Sequence, residues 1–196
     1  MFTGIVETQG IVKKVIETGT NKTFWVKSHI SSKLKSDQSV AHDGVCLTVE
    51  EVKGSRHRVT AIAETLGKTI LSDWEEGSTI NLERCLKIND RLDGHFVQGH
   101  IDTTVICIDK KEKDGSWEFS FQFLPEFASL IVEKGSIAIN GASLTVFNVN
   151  ATTFNVAIIP YTFKHTNMNL LKQGQKVNIE FDMLGKYINR KLSLSK

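Results

Sequence analysis

The sequence predicts an all-β fold: two tandem, homologous antiparallel barrels followed by a short C-terminal helix. Three observations predict it. The chain repeats itself at a long interval, its segments are short and rich in Val, Ile, Thr and Phe between turn residues, and the apolar spacing changes after Asp182.

The duplication decides the organisation. Ser39-Val-Ala-His-Asp-Gly-Val-Cys-Leu-Thr-Val49 recurs as Ser136-Ile-Ala-Ile-Asn-Gly-Ala-Ser-Leu-Thr-Val146, a shift of 97 residues. Gly77-Ser-Thr-Ile-Asn-Leu-Glu83 recurs as Gly174-Gln-Lys-Val-Asn-Ile-Glu180 at the same shift, which also relates Thr65 to Thr162. Gly4-Ile-Val-Glu7 resembles Gly99-His-Ile-Asp102 at a shift of 95, so two residues are inserted before the next shared block. The period exceeds that of stacked repeats, so each copy has its own core. The halves span residues 1–88 and 89–186, and 187–196 is left for a terminal helix.

Within each half, turn signals at Gly10, Gly19, Asp43-Gly44, Gly54, Gly77, Asn140-Gly141 and Gly174 separate β-rich runs. Asp43-Gly44 and Asn140-Gly141 stand at equivalent places and favour tight hairpins, because both dipeptides tolerate positive φ. Closing each sheet on itself removes exposed edges. Brief helices are expected only around 65–73, 124–133 and 162–171. Leu184, Tyr187, Ile188 and Leu192 form one apolar stripe at helical spacing, on a helix too short to stand alone, so it should dock elsewhere.

The net charge of +2, with Lys and Arg scattered along the chain, lacks the basic stripe of a nucleic-acid binder. No window approaches a membrane span, and the opening Met-Phe-Thr-Gly-Ile-Val lacks a basic leader, so a cytoplasmic protein is expected. Cys46, Cys85 and Cys107 fit neither a disulfide framework nor a zinc pattern and read as reduced thiols.

Alternation puts Cys46 with Thr48, and Ser143 with Thr145, on one face of a strand. Thr is common in strands and small residues fill tight barrels, but the motif occurs twice. His95 and His100, five apart, point to opposite faces of any regular strand, and no third ligand lies nearby in sequence, so no metal site is read there. Glycine-rich phosphate loops and a serine-hydrolase context are absent from the sequence.

Met1-Phe-Thr-Gly-Ile-Val6, Ser39-Val-Ala-His-Asp-Gly-Val-Cys-Leu-Thr48, Gly94-His-Phe-Val-Gln-Gly-His-Ile101 and Lys134-Gly-Ser-Ile-Ala-Ile-Asn-Gly-Ala-Ser-Leu-Thr145, in this order, resemble the riboflavin synthase family over nearly the whole chain. The resemblance implies two six-stranded Greek-key barrels and a homotrimer. Each active site would lie between the N-barrel of one subunit and the C-barrel of the next. There, two molecules of 6,7-dimethyl-8-ribityllumazine would dismutate to riboflavin and 5-amino-6-(D-ribitylamino)uracil without metal or cofactor.

Carried over by position, the N-barrel pocket would use Gly4, Ile5 and Val6, then Cys46, Leu47 and Thr48, and then Thr60, Ala61, Ile62, Ala63, Glu64 and Thr65. The C-barrel pocket would use Gly99, His100 and Ile101, then Ser143, Leu144 and Thr145, and then Ala157, Ile158, Ile159, Pro160, Tyr161 and Thr162. Lys134 would reach a neighbouring subunit's ligand, and Phe2, Ser39, Cys46, His100 and Asp182 match positions tied to turnover. His100, Ser39 or Thr48 would assist proton transfer from the acidic C7 methyl of the lumazine. Asn140 stands where many relatives carry Asp. The rival readings are a non-catalytic lumazine- or flavin-binding antenna protein and a flavin reductase-like barrel.

Overall fold

The two hairpins that open the halves share one irregularity. In the computed structural model, which describes residues 1–194, β1 (Thr8–Thr18) pairs with β2 (Asn21–Lys27), and the register slips between Val12 and Lys14. The corresponding slip lies between Cys107 and Asp109, where β8 (Thr103–Lys113) pairs with β9 (Ser116–Gln122). Each slip is a bulge that bends a long strand so that it can serve two sides of a curved sheet.

The remaining strands follow in the same sequence in both halves. β3 (Ser39–His42), β4 (Val45–Thr48), β5 (Glu51–Lys53), β6 (Arg56–Ala61) and β7 (Thr79–Arg84) complete the first sheet, in the order β4-β3-β7-β1-β2-β6-β5. β10 (Ser136–Ile139), β11 (Ala142–Phe147), β12 (Thr153–Ile158) and β13 (Lys176–Phe181) close the second into a six-stranded barrel. The first sheet counts seven strands because the element matching β11 is broken. β4 ends at Thr48 and β5 resumes at Glu51, while the Glu50 N–H still donates to the Arg58 carbonyl at 2.9 Å across the break. The chain path is the same in both.

Short helices cover the expected places: α1 (Ala63–Lys68), a tight turn at 70–73, another at 125–130, α2 (Pro160–His165) and a turn at 167–169. Thr69 and Thr166, equivalent residues, each cap the following turn with a hydroxyl that accepts a backbone N–H. α3 (Met183–Ser193) is capped by Asp182, whose carboxylate accepts the Leu184 N–H. It starts four residues before the expected boundary at 187, and residues 195–196 of that segment lie outside the described residues. Its stripe of Leu184, Tyr187, Ile188 and Leu192 is exposed in the single chain. Among the described residues no helix is long and apolar enough to cross a membrane.

Each half has its own core. Val12, Phe24, Val26, Val59, Leu71 and Leu82 fill the first, and Phe119, Phe121, Phe154, Val156, Met168 and Phe181 fill the second. A pseudo-two-fold relates them. The hairpin turns Asp43-Gly44 (φ 45° and 82°) and Asn140-Gly141 (φ 44° and 77°) meet so closely that a methyl on Gly44 would stand 2.8 Å from the Gly141 nitrogen. Around them Asn81 donates to the Asn140 carbonyl and Asn178 donates to the Asp43 carbonyl, both at 2.9 Å. Phe2 and Val97, themselves equivalent, exchange backbone hydrogen bonds on the same axis.

Candidate functional site

The structure brings two pairs of the expected segments together, in a grouping other than the one the resemblance implied. The segment ahead of each first strand crosses to the other half. The Gly4 carbonyl accepts the Ser143 N–H at 2.7 Å, and the Gly99 carbonyl accepts the Cys46 N–H at 2.8 Å. Gly4, Ile5 and Val6 therefore belong with Ser143, Leu144 and Thr145, and Val6 packs against the second core. Gly99, His100 and Ile101 belong with Cys46, Leu47 and Thr48, and Ile101 packs against the first core. The glycines are required by approach: a methyl would lie 2.6 Å from the Ser143 Cβ at Gly4 and 2.5 Å from the Cys46 Cβ at Gly99. This corrects the assignment of each lead segment to its own half. Its cause is the Phe2–Val97 bridge, which turns both segments across the axis.

Thr60 and Ala61 end β6, and Ile62 to Thr65 lead into α1; Ala157 and Ile158 end β12, and Ile159 to Thr162 lead into α2. Leu47, Ala61, Leu144 and Ile158 point into the cores, whereas Thr48, Ile62, Ala63, Glu64, Thr145, Ala157, Ile159, Pro160 and Tyr161 are exposed. The two pocket faces are thus open in the single chain. A cleft of about 740 Å³ lies beside them, lined by Lys33, Glu83, Arg84, Cys85 and Arg91, and shares only Ile5 and Ser39 with the expected residues. Lys134 is exposed, its ammonium over the Phe147 ring.

The side chains expected to do chemistry separate into three groups. Phe2 is fully buried on the axis with Ala41, Val97 and Ala138, which makes it part of the junction that aims both lead segments. Cys46 is half-buried, burial pushes its thiol up, and a hydrogen bond with Ser39 acts against that. The His100 side chain is exposed, and its backbone N–H is held by Glu180.

His95, set aside in the sequence, occupies the second pocket instead. It is buried, its Nδ1 lies 2.7 Å from the Ser143 hydroxyl, and its Nε2 has no hydrogen-bond partner among the described residues. Burial lowers its pKa, and the charge of Asp182 works the other way, so the ring is neutral at pH 7 and able to take a proton. The sequence signal was the pair of glycines, Gly94 and Gly99, bracketing it. Two further residues went unread: Glu83 and Glu180, the last residues of the second repeated block, hold the lead segments through their carboxylates. Among the described residues no cluster of three or more His, Cys, Asp or Glu could hold a metal ion.

The Lumazine binding domain family matches the chain twice, over residues 3–85 and 98–182, each copy spanning one sheet and its lead segment. The chain is 37% identical to the riboflavin synthase of Bacillus subtilis over 97% of its own length and 89% of that protein's. It is 37% identical to that of Brucella abortus, covering 97% of both, and 35% identical to that of Saccharomyces cerevisiae over all of this chain and 87% of the relative. The chain belongs to the riboflavin synthase family. Its fold is also that of LumP, solved with riboflavin (TM-score 0.86, 21% identity, 92% of this chain and 99% of that one) and with 6,7-dimethyl-8-(1'-D-ribityl) lumazine (TM-score 0.84, 20% identity, the same coverage).

Proposed function

We propose that the chain is a riboflavin synthase, converting two molecules of 6,7-dimethyl-8-ribityllumazine into riboflavin and 5-amino-6-(D-ribitylamino)uracil by transfer of a four-carbon unit. The observation that carries this is a pair of pockets alike in backbone and unlike in chemistry. Each offers a Leu-Thr strand, a strand-to-helix corner and a lead segment from the other half. One contains Cys46, Ser39 and His100; the other contains Ser143 with the buried neutral His95. A dismutation asks for this, since one compound must be held twice, once as donor and once as acceptor. The two substrate molecules together contain every atom of the two products, so no oxidant or co-reactant is needed.

Holding the two rings face to face makes the step effectively intramolecular, an effect that reaches roughly 7–11 kcal/mol. Proton removal from the acidic C7 methyl falls to a positioned neutral base, a contribution of about 10²–10⁴-fold, and His95 with Ser143 meets that description. The open pocket faces and the exposed stripe of α3 support a homotrimer in which a neighbouring chain closes each site with two ligands between subunits, Lys134 reaching across. We assign residues 1–88 and 89–186 to the two lumazine-binding domains, 187–196 to the oligomerising tail, and a cytoplasmic location.

The test is to incubate the pure protein with the lumazine alone and follow riboflavin, expecting one for every two substrates consumed. Tight binding without product would instead make it a carrier of the LumP kind. The homotrimer is tested by truncation after Gly185, which should yield a smaller particle in sedimentation; an unchanged oligomer would remove α3 from that role.

A further inference from the structure

The lead segments that enter the pockets belong to no helix or long strand, so something else must fix them. Residues 98–100 present three successive backbone N–H groups in one direction, with Gly99 at φ 83°. Such a turn has no acceptor of its own, and a buried donor left unpaired carries its full desolvation penalty. Glu180 supplies the acceptors: one carboxylate oxygen takes the Gln98 N–H at 2.6 Å, and the other takes those of Gly99 and His100 at 2.8 and 2.9 Å. Glu83 does the same for the first segment, with the Thr3 N–H and hydroxyl at 2.6 and 2.7 Å and the Gly4 N–H at 3.0 Å. An ionised carboxylate is the fitting group, because it accepts through both oxygens and donates through neither.

Each carboxylate stands on the last strand of its own half, β7 or β13, but the segment it holds docks on the other half. We propose that Glu83 and Glu180 are crossed positioning residues. Glu180 sets the Cys46 pocket through Gly99 and His100, and Glu83 sets the Ser143 pocket through Thr3 and Gly4. The expected effect on turnover rests on the lumazine reading above; the crossed geometry does not. Burial holds both carboxyls above their ordinary range in spite of these donors, so the charges are kept at a cost to the fold.

The experiment uses the full chain as Glu180→Gln and Glu83→Gln. Iodoacetamide labelling of Cys46 is read by mass spectrometry against exposed Cys85 in the same molecule. Gly99 covers the base of Cys46, so Glu180→Gln should speed Cys46 labelling by roughly tenfold, as for one charge-assisted hydrogen bond lost, while Glu83→Gln leaves it unchanged. In a Ser143→Cys background the pattern should reverse, with only Glu83→Gln exposing the new thiol. Glu180→Asp, which keeps the charge and shortens the reach, serves as the second variant if Glu180→Gln does not fold, and should give an intermediate rate. In lumazine turnover both Gln variants should lose kcat with little change in KM. Labelling that rises equally in both variants, or in neither, or uncrossed, overturns the proposal. A parent protein that makes no riboflavin defeats the lumazine reading alone, since the labelling still decides the latch.

Discussion

The two halves share a backbone and differ at the centre of their cores. In the first half, Ser28, Ser31, His57 and His42 form a buried chain: 2.8 Å from Ser28 to Ser31, 2.8 Å from Ser31 to His57 Nδ1, 2.8 Å from His57 Nε2 to His42 Nε2, and 2.9 Å from His42 Nδ1 to the Val40 carbonyl. The equivalent residues of the second half are Phe123, Ala128, Phe154 and Ile139, all apolar, with Phe123 and Phe154 in ring contact at 6.0 Å. The carbonyl at the end sets the direction of every proton. His42 must donate from Nδ1, so its Nε2 accepts from His57, whose Nδ1 accepts from Ser31, which accepts from Ser28. This direction belongs to neutral rings, the state that burial favours. Burial holds His42 well below the ordinary histidine range and His57 at about 4. Duplication has thus repeated the strands and turns while leaving one core tied to pH and the other indifferent to it.

The largest effect should come from the pockets. His95→Ala is expected to lower kcat by about 10²-fold or more, with KM little changed, while His100→Ala, on the first pocket's exposed segment, should cost less. Steady-state kinetics on both variants decides between them. A larger loss at His100 would reverse the roles of the two pockets.

The core comparison is broken by copying the second half into the first. His57→Phe leaves the His42 Nε2 buried without its donor and should cost about 1–3 kcal/mol in urea unfolding at pH 8; adding His42→Ile should recover most of it. The double variant should also lose an acid sensitivity. Histidines with depressed folded pKa values give stability that is full above 6.5 and lost as pH falls towards about 4, because the unfolded chain takes up the protons first. If the double variant keeps the parent's slope in that window, the histidine chain is not its source.

Asp43 provides the smallest and opposite effect. Burial pushes its carboxyl up to about 7, against hydrogen bonds from the Asn81 backbone, Asn167 and Trp74, while its counterpart is the neutral Asn140. A raised carboxyl gives stability that is present below 3.8 and lost as pH rises through 7. Asp43→Asn should therefore gain on the order of 1 kcal/mol at pH 8 and nothing near pH 4, measured by the same unfolding curves. A loss at pH 8 would mean that the ionised carboxylate is what the hairpin junction requires.

The sequence by itself determined the two-barrel plan. The repeated blocks fix equivalent strands, Asp43-Gly44 and Asn140-Gly141 fix their hairpins through positive φ, and Asp182 with the stripe behind it announces α3. It determined the Leu-Thr strands and the corners leading into α1 and α2 for the same local reasons. Only the tertiary structure decided how these parts are shared. A shift of 97 residues is equally consistent with lead segments kept at home or exchanged, and the choice was made by the Phe2–Val97 bridge, which no local pattern encodes. The same holds for His95. Its spacing from His100 carried no chemistry along the strand, and Ser143, 48 residues away, became its partner only when the exchange brought both to one pocket. Local rules read along the chain; a buried hydrogen bond between distant residues is set by where two surfaces meet, and that is decided by packing.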